Sequence, residues 1–569
     1  MKKTLSIYFK YDCLLLIFIG LFAFNNNNIL NAATINVNSI SGLQAAIITC
    51  QTGDIINLAK GHYTNNVINI AKSNITVQAA SPGGVFLDGT STITISGNNN
   101  TFGGFQFTAN VTANGTNTIA VSGNSNTITQ LNFNGYCADH FLYITGQYNM
   151  VSYCNFQNKL AVMTAKAGTG DMVQIIPNAT NPGYNTIKYC SFQHMPGMGG
   201  DYGNECIRIG NSTLATFISR TVIEYCYFED TGLGDSEAIS VKSRENILRY
   251  NTMNNNPNAM FCFRNGDNNV AYSNFFINSG GLRAKEANNI FCYNNYFEKS
   301  GLNGTMNAVT YIYDTSNSTY VLDNINFLHN TFVDCGMIDF GGIGATNGTW
   351  ANNIFLKSGN IFQNANNGTT FKNNIYSGFL GIDVSSGITF ADPKLALNSD
   401  GYYDLTALSP AIGAASNNYP AILNIPGIDT LLLDIKGISR PVSRLLKDVG
   451  CEQFSASGVI TNKPLKLSDV GPSYLKTLSG TETTKENLNF NVRVNSSSKS
   501  LIVNYFLAKP SKINLTIYSL NGTLIKSIDT NNPENKQQTI DISNLQNGMY
   551  LVRLTADNYA KTIKFIIKN

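Results

Sequence analysis

The sequence predicts an all-β protein: a right-handed parallel β-helix with an N-terminal cap, followed by a small C-terminal β-sandwich. Three observations carry that reading. Only 13% of the 569 residues are charged, 43% are hydrophobic, and Gly, Phe and Tyr number 49, 32 and 28. Such a chain is rich in strand and turn formers and has ample apolar surface for a core. Next, a triplet of Asn or Cys, any residue, then an aromatic or Met recurs, opening at Cys154, Cys190, Cys226, Asn251, Asn274, Asn295, Asn330, Asn353 and Asn374. Successive differences are 36, 36, 25, 23, 21, 35, 23 and 21 residues. The short steps are one coil, and the long ones are coils carrying an inserted loop. Lastly, Leu515–Gly522 alternates into an Asn-Gly turn, and Gly548–Arg553 and Lys564–Lys568 follow as further strands.

Residues 1–33 read as a signal peptide: Lys2 and Lys3 precede the apolar run Leu14–Phe24, which is too short to span a bilayer, and Ala32 and Ala33 offer a cleavage site. No later segment is apolar enough to cross a membrane, so the mature chain is expected to lack a transmembrane span and to be secreted or held at the cell surface. Residues 34–454 form the expected β-helix. Ile40–Cys50 reads as a short helix with Leu43, Ala46 and Ile47 on one face, suited to covering the open end of a solenoid. Within the coils, inward Phe stacks on Phe about 4.8 Å away, and turn Asn side chains bond to those above and below. The 11 Cys fall about one per coil without paired spacing, which favours buried free thiols over disulfides. Ser409–Ile412 and Asp448–Glu452 mark the far end. Residues 455–487, rich in Ser, Thr, Gly and Lys, read as a linker, and residues 488–569 as the sandwich.

With 38 basic against 35 acidic residues the net charge is +3, a balance that does not call for nucleic acid. An anionic ligand must meet a local patch. One stretch provides it. Asp235 and Glu237 are two apart on a strand and share a face. Lys242 and Arg264 are 22 residues apart, one coil, and Glu205 and Arg208 lie about one looped coil earlier. Paired carboxylates suit Ca²⁺. A Lys beside cations can serve as a base, and an Arg can bind a carboxylate and support developing charge. Those are the parts needed to remove a proton next to a carboxylate, such as C5–H of a uronic acid.

The runs Asp235-x-Glu237-x-Ile239-Ser240-x-Lys242-Ser243, Phe263-Arg264-Asn265-Gly266 and Asn204-Glu205-x-Ile207-Arg208-Ile209-Gly210 resemble polysaccharide lyase family 6, the alginate lyases and chondroitinase B. The opening segment (Leu43, Ala45-Ala46, Gly53-Asp54, Gly61-x-Tyr63) resembles that family's start, and the likeness spans roughly residues 34–450. The resemblance implies calcium-assisted β-elimination of an anionic polysaccharide. Lys242 then matches the base, Arg264 the residue assisting the leaving side, and Asp235 and Glu237 the acidic calcium ligands. Asn204 stands nearest to the family's Asn ligand, whose usual place is Tyr202 here. Arg208, Asn265 and His194 are expected on the substrate, Asn265 standing where the family usually has His. Alginate rich in mannuronate is the first expectation for the polymer; dermatan sulfate, or a non-catalytic carbohydrate-binding β-helix, is the alternative. The C-terminal strands resemble the sorting domain of type IX secretion, which implies that machinery as a partner.

Overall fold

The structure is a computed structural model that describes residues 32–108, 116–135, 138–160, 170–195, 204–232, 236–313, 321–341, 345–364, 368–441, 447–454, 458–478, 489–495, 497–506, 513–519, 524–530, 536–556 and 559–567. The expected signal peptide, apart from its last two residues, and the Asn521-Gly522 turn lie outside the described residues. No helix among the described residues is long and apolar enough to cross a membrane.

The chain winds into a parallel β-helix of three sheets with 14, 14 and 12 strands, each strand pairing in parallel with its equivalents one coil away. The repeat read from sequence is the repeat of the fold. Phe156, Phe192, Phe228, Met253, Phe276, Phe297, Phe332 and Phe355 occupy one register of the second sheet. All are buried, and the Phe156–Phe192 and Phe192–Phe228 rings stack at 5.0 and 4.9 Å. The corner before that sheet carries the Asn row. Backbone N–H groups of Asn251, Asn274, Asn295, Asn330 and Asn353 each donate to the amide oxygen of the next rung, at 2.9–3.1 Å. Each side chain thus satisfies a donor the bend leaves free, in a place water does not reach. Cys226 continues the row by donating its N–H to Asn251 Oδ1 at 3.0 Å. All nine Cys among the described residues are free and buried. A second row, Asn100, Asn126, Asn149 and Asn185, links the same way at 2.9 Å at the corner before the first sheet; the sequence reading did not anticipate it.

Helix Ile40–Thr49 caps the N-terminal end, with Ser39 accepting from Gly42 N–H and with Leu43, Ala46 and Ile47 buried. At the other end the last rung is Ile388–Phe390. Among the described residues, 391–441 and 447–454 add no further rung. They run back over the outside, where Gly450 N–H donates to Asn352 O and Cys451 N–H to Thr331 Oγ1. Residues 458–478, within the stretch read as a linker, continue as a strap along the second sheet. Leu465 N–H donates to Thr252 Oγ1, Gly471 N–H to Tyr189 O, and Tyr474 OH to Phe105 O. Beyond it, three- and four-stranded antiparallel sheets enclose Leu501, Val503, Leu515, Ile517, Val552 and Leu554.

Candidate active site on the third sheet

Three neighbouring strands of the third sheet position the candidate residues: Ile207–Gly210, Glu237–Lys242 and Met260–Arg264. Ile207, Ile239 and Phe261 turn inward to the core, which fixes which side chains face out. Gly210 pairs with Lys242, Val241 with Phe263, and Arg264 with Lys285. Lys242, Arg264 and Lys285 therefore form one outward row on consecutive coils, as the 22-residue spacing of the first two predicts. A parallel outward row holds Gln174, Arg208, Ser240, Cys262 and Arg283.

Lys242 is buried, with 11% of its side chain exposed, and its Nζ is 3.6 Å from Glu205 Oε1. Arg264 Nη1 approaches Glu237 Oε1 at 3.4 Å, and Arg283 Nη1 approaches the same oxygen at 3.6 Å while donating to Ser236 Oγ at 2.9 Å. Asp235 lies outside the described residues. Asn204 is buried beside Glu205, and Asn265 is buried with its Nδ2 donating to Glu286 Oε2 at 2.7 Å. Arg208 reaches across the loop: its Nε meets Asp171 Oδ2 at 2.8 Å, and its Nη2 donates to Gln174 Oε1 at 2.6 Å. His194 closes a strand of the second sheet, where its Nδ1 lies 3.0 Å from Asp230; among the described residues nothing joins it to Lys242 or Arg264.

Two groups sequence reasoning missed complete the site. His140, Asp171, Glu205 and Glu237 each stand two residues before the aligned positions Leu142, Val173, Ile207 and Ile239, so they form a row of titratable groups over four coils. Asp171 and Glu205 are fully buried, and neither Asp171 oxygen nor Glu205 Oε2 has a conventional donor. Burial drives the Asp171 carboxyl well up, reinforced by the Glu205 charge, so Asp171 carries the proton. Burial also pushes Glu205 upward, but the hydrogen bond from Asp171 and the charges of Lys242 and Arg208 outweigh it and bring Glu205 down to about 2. His140 lies 3.7 Å from Asp171; burial first, then the charges of Lys159 and Arg208, lower it to about 3, so it is neutral in the folded protein. The loop between His140 and Asp171 hides their alignment from sequence periodicity. Arg283 and Lys285 were legible in principle, since Lys285 falls 21 residues, one coil, after Arg264.

Among the described residues no three His, Cys, Asp or Glu side chains form a metal cluster. The chemistry of one donor nevertheless suits a hard cation: Glu237 Oε2 is buried without a hydrogen-bond partner, one coil from Glu205.

A parallel β-helix bearing a row of cations over buried acids defines the architecture of the β-helical polysaccharide lyases. The profile of the family described as Chondroitinase B matches residues 37–388, and the chain belongs to that family. A secretion system C-terminal sorting domain matches residues 489–568. Among solved structures, the chain is similar to the PL6 family alginate lyase AlyGC, with 21% identity, TM-score 0.59, and coverage of 71% of this chain and 60% of that one. It is similar to a mannuronic acid specific polysaccharide family 6 lyase from human gut microbiota, with 20% identity, TM-score 0.55, and coverage of 63% and 91%. It is also similar to the PL6 family polysaccharide lyase Pedsa3628 from Pseudopedobacter saltans, with 18% identity, TM-score 0.51, and coverage of 77% and 99%. The chain thus spans about 60% of the length of AlyGC. No curated protein matches it.

Proposed function

We propose that the protein is a secreted polysaccharide lyase that cleaves a uronate polymer by β-elimination, with polymannuronate the first candidate. The observation carrying this reading is the placement of Lys242 and Arg264 on adjacent coils in one outward row, each backed by a buried carboxylate. Lys242 Nζ, as the neutral amine, takes the C5 proton and becomes the ammonium that Glu205 faces. The electron pair of that bond forms the C4–C5 double bond, and the C4–O bond breaks with its pair on the leaving oxygen. Arg264 donates a hydrogen bond to that oxygen, where charge develops. Glu205 holds the Lys242 amine in place, and Glu237 does the same for the Arg264 guanidinium. Arg208, held by Asp171 and Gln174, faces the substrate from the preceding coil. Ca²⁺ would be held by Asp235, Glu237 and Asn204, and would supply charge that neutralises the uronate carboxylate. Export through the type IX machinery follows from the C-terminal sorting domain.

The test is absorbance of the new unsaturated sugar on polymannuronate, polyguluronate and dermatan sulfate. Product is expected on polymannuronate and at least a thousandfold loss in Lys242→Ala; no product from any of the three, or full activity in Lys242→Ala, rejects the reading. Calcium is read separately, as a rise in melting temperature on adding the ion to wild type that Glu237→Gln lacks.

A further inference from the structure

Lys285 continues the row of Lys242 and Arg264 by one coil, yet differs from both. Lys242 is matched by Glu205 and Arg264 by Glu237. The Lys285 side chain has no hydrogen bond or ion pair among the described residues, and the residue is half-buried at the end of its strand. On its far side it pairs with Ile312, and the parallel row turns acidic at Asp339. The cationic stretch therefore ends at Lys285. A cation already matched by a nearby acid has much of its field cancelled locally, whereas an unmatched one attracts a ligand anion in full. Coils repeat every ~4.8 Å, close to the length of one sugar ring in a 1,4-linked chain.

We propose that Lys285 binds the carboxylate of the sugar one place along from the scission point. This rests on the lyase reading and deepens it: a free cation one coil beyond the scission residues reaches the neighbouring sugar, which carries a carboxylate in a homopolyuronate and none in a polymer with a uronate at every second place. Lys285 selects the polymer and takes no part in moving the proton.

The experiment compares wild type, Lys285→Ala and Lys285→Arg on polymannuronate and dermatan sulfate, with polymer binding also read by affinity electrophoresis, which needs no turnover. Lys285→Ala is expected to raise KM on polymannuronate about tenfold, the size of one charge-assisted contact, with kcat within about twofold. Mobility retardation by polymannuronate falls in parallel, and Lys285→Arg restores both. An unchanged KM and unchanged retardation in a folded Lys285→Ala protein overturn the proposal while leaving the lyase reading intact. So does an equal effect on dermatan sulfate. Absence of product from every polymer in wild type removes the lyase reading, and retention of Lys285-dependent retardation then still separates the binding role from it.

Discussion

Glu205 Oε1 stands 3.6 Å from Lys242 Nζ, and Asp171 occupies the equivalent place one coil away. The pair divides its work by charge: the hydrogen bond from Asp171 and the charges of Lys242 and Arg208 hold Glu205 down against its burial, while burial and the Glu205 charge push Asp171 up toward its neutral form against the pull of Arg208.

The two carboxyls should therefore respond differently to neutral replacement. Asp171→Asn keeps a neutral group that donates to Glu205, so activity should stay within about threefold and melting within a few degrees. Glu205→Gln removes the anion that holds Lys242 and leaves a buried amine without its partner, which costs on the order of 3 kcal/mol. We expect kcat on polymannuronate to fall at least tenfold with KM little changed. Kinetics and thermal melting of both variants check this, and equal losses would contradict the division of charge.

His140 gives the site a pH signature. Its folded value of about 3 lies below its ordinary 6.5. Between those values the unfolded chain binds a proton that the folded chain refuses, so its contribution is intact above pH 6.5 and is lost as pH falls toward 3. The slope is at most ~1.4 kcal/mol per pH unit. Urea denaturation of wild type and His140→Gln from pH 7 to 4 should show the shallower decline in the variant; parallel curves would mean His140 protonates freely in the native state.

What the sequence disclosed and what it withheld divide along one physical line. Stacking forces a residue to repeat itself, so the Phe row, the Asn row from Asn251 to Asn374 and the Lys242–Arg264 alignment could be read as offsets of about one coil. Inserted loops break the offset without breaking the register, and so His140, Asp171 and Glu205 stayed scattered in the chain although they adjoin in space. The partner of Arg208 stayed hidden for that reason: Asp171 lies across the loop. His194 shows the converse, a residue near the motif in sequence but delivered to another sheet. The strap at 458–478 was opaque because its contacts are single hydrogen bonds and one aromatic ring set on a surface distant in sequence, which carry no periodic signature.

The Asn row also sets a measurable hierarchy. Asn295 donates to Ala271 O and Asn330 Oδ1 and accepts from Asn274. Asn295→Ala strands several buried groups at about 1–3 kcal/mol each. Asn295→Cys should be milder, since Cys154, Cys190 and Cys226 occupy the same corner on earlier coils and Cys190 Sγ accepts from Cys154 N–H at 3.5 Å. Chemical denaturation should rank wild type above Cys above Ala; Ala equal to wild type would show that the row contributes nothing.

The strap is held at its C-terminal end by Tyr474. Its hydroxyl donates to Phe105 O at 3.3 Å, its ring lies over Gly83, and Lys476 sits 6.0 Å from the Tyr153 ring. Gly83 has φ +76°, and a Cβ there would come within 2.4 Å of the Tyr474 ring. Both Tyr474→Ala and Gly83→Ala should therefore loosen the strap, the first by removing the ring and the second by displacing it. The coils beneath keep their own core, so melting of the β-helix should shift by only a few degrees. Trypsin cleavage after Lys476, followed by mass spectrometry under native conditions, reads the effect directly: slow in wild type and at least tenfold faster in either variant. Equally fast cleavage in all three proteins would mean that Tyr474 does not hold the strap against the second sheet.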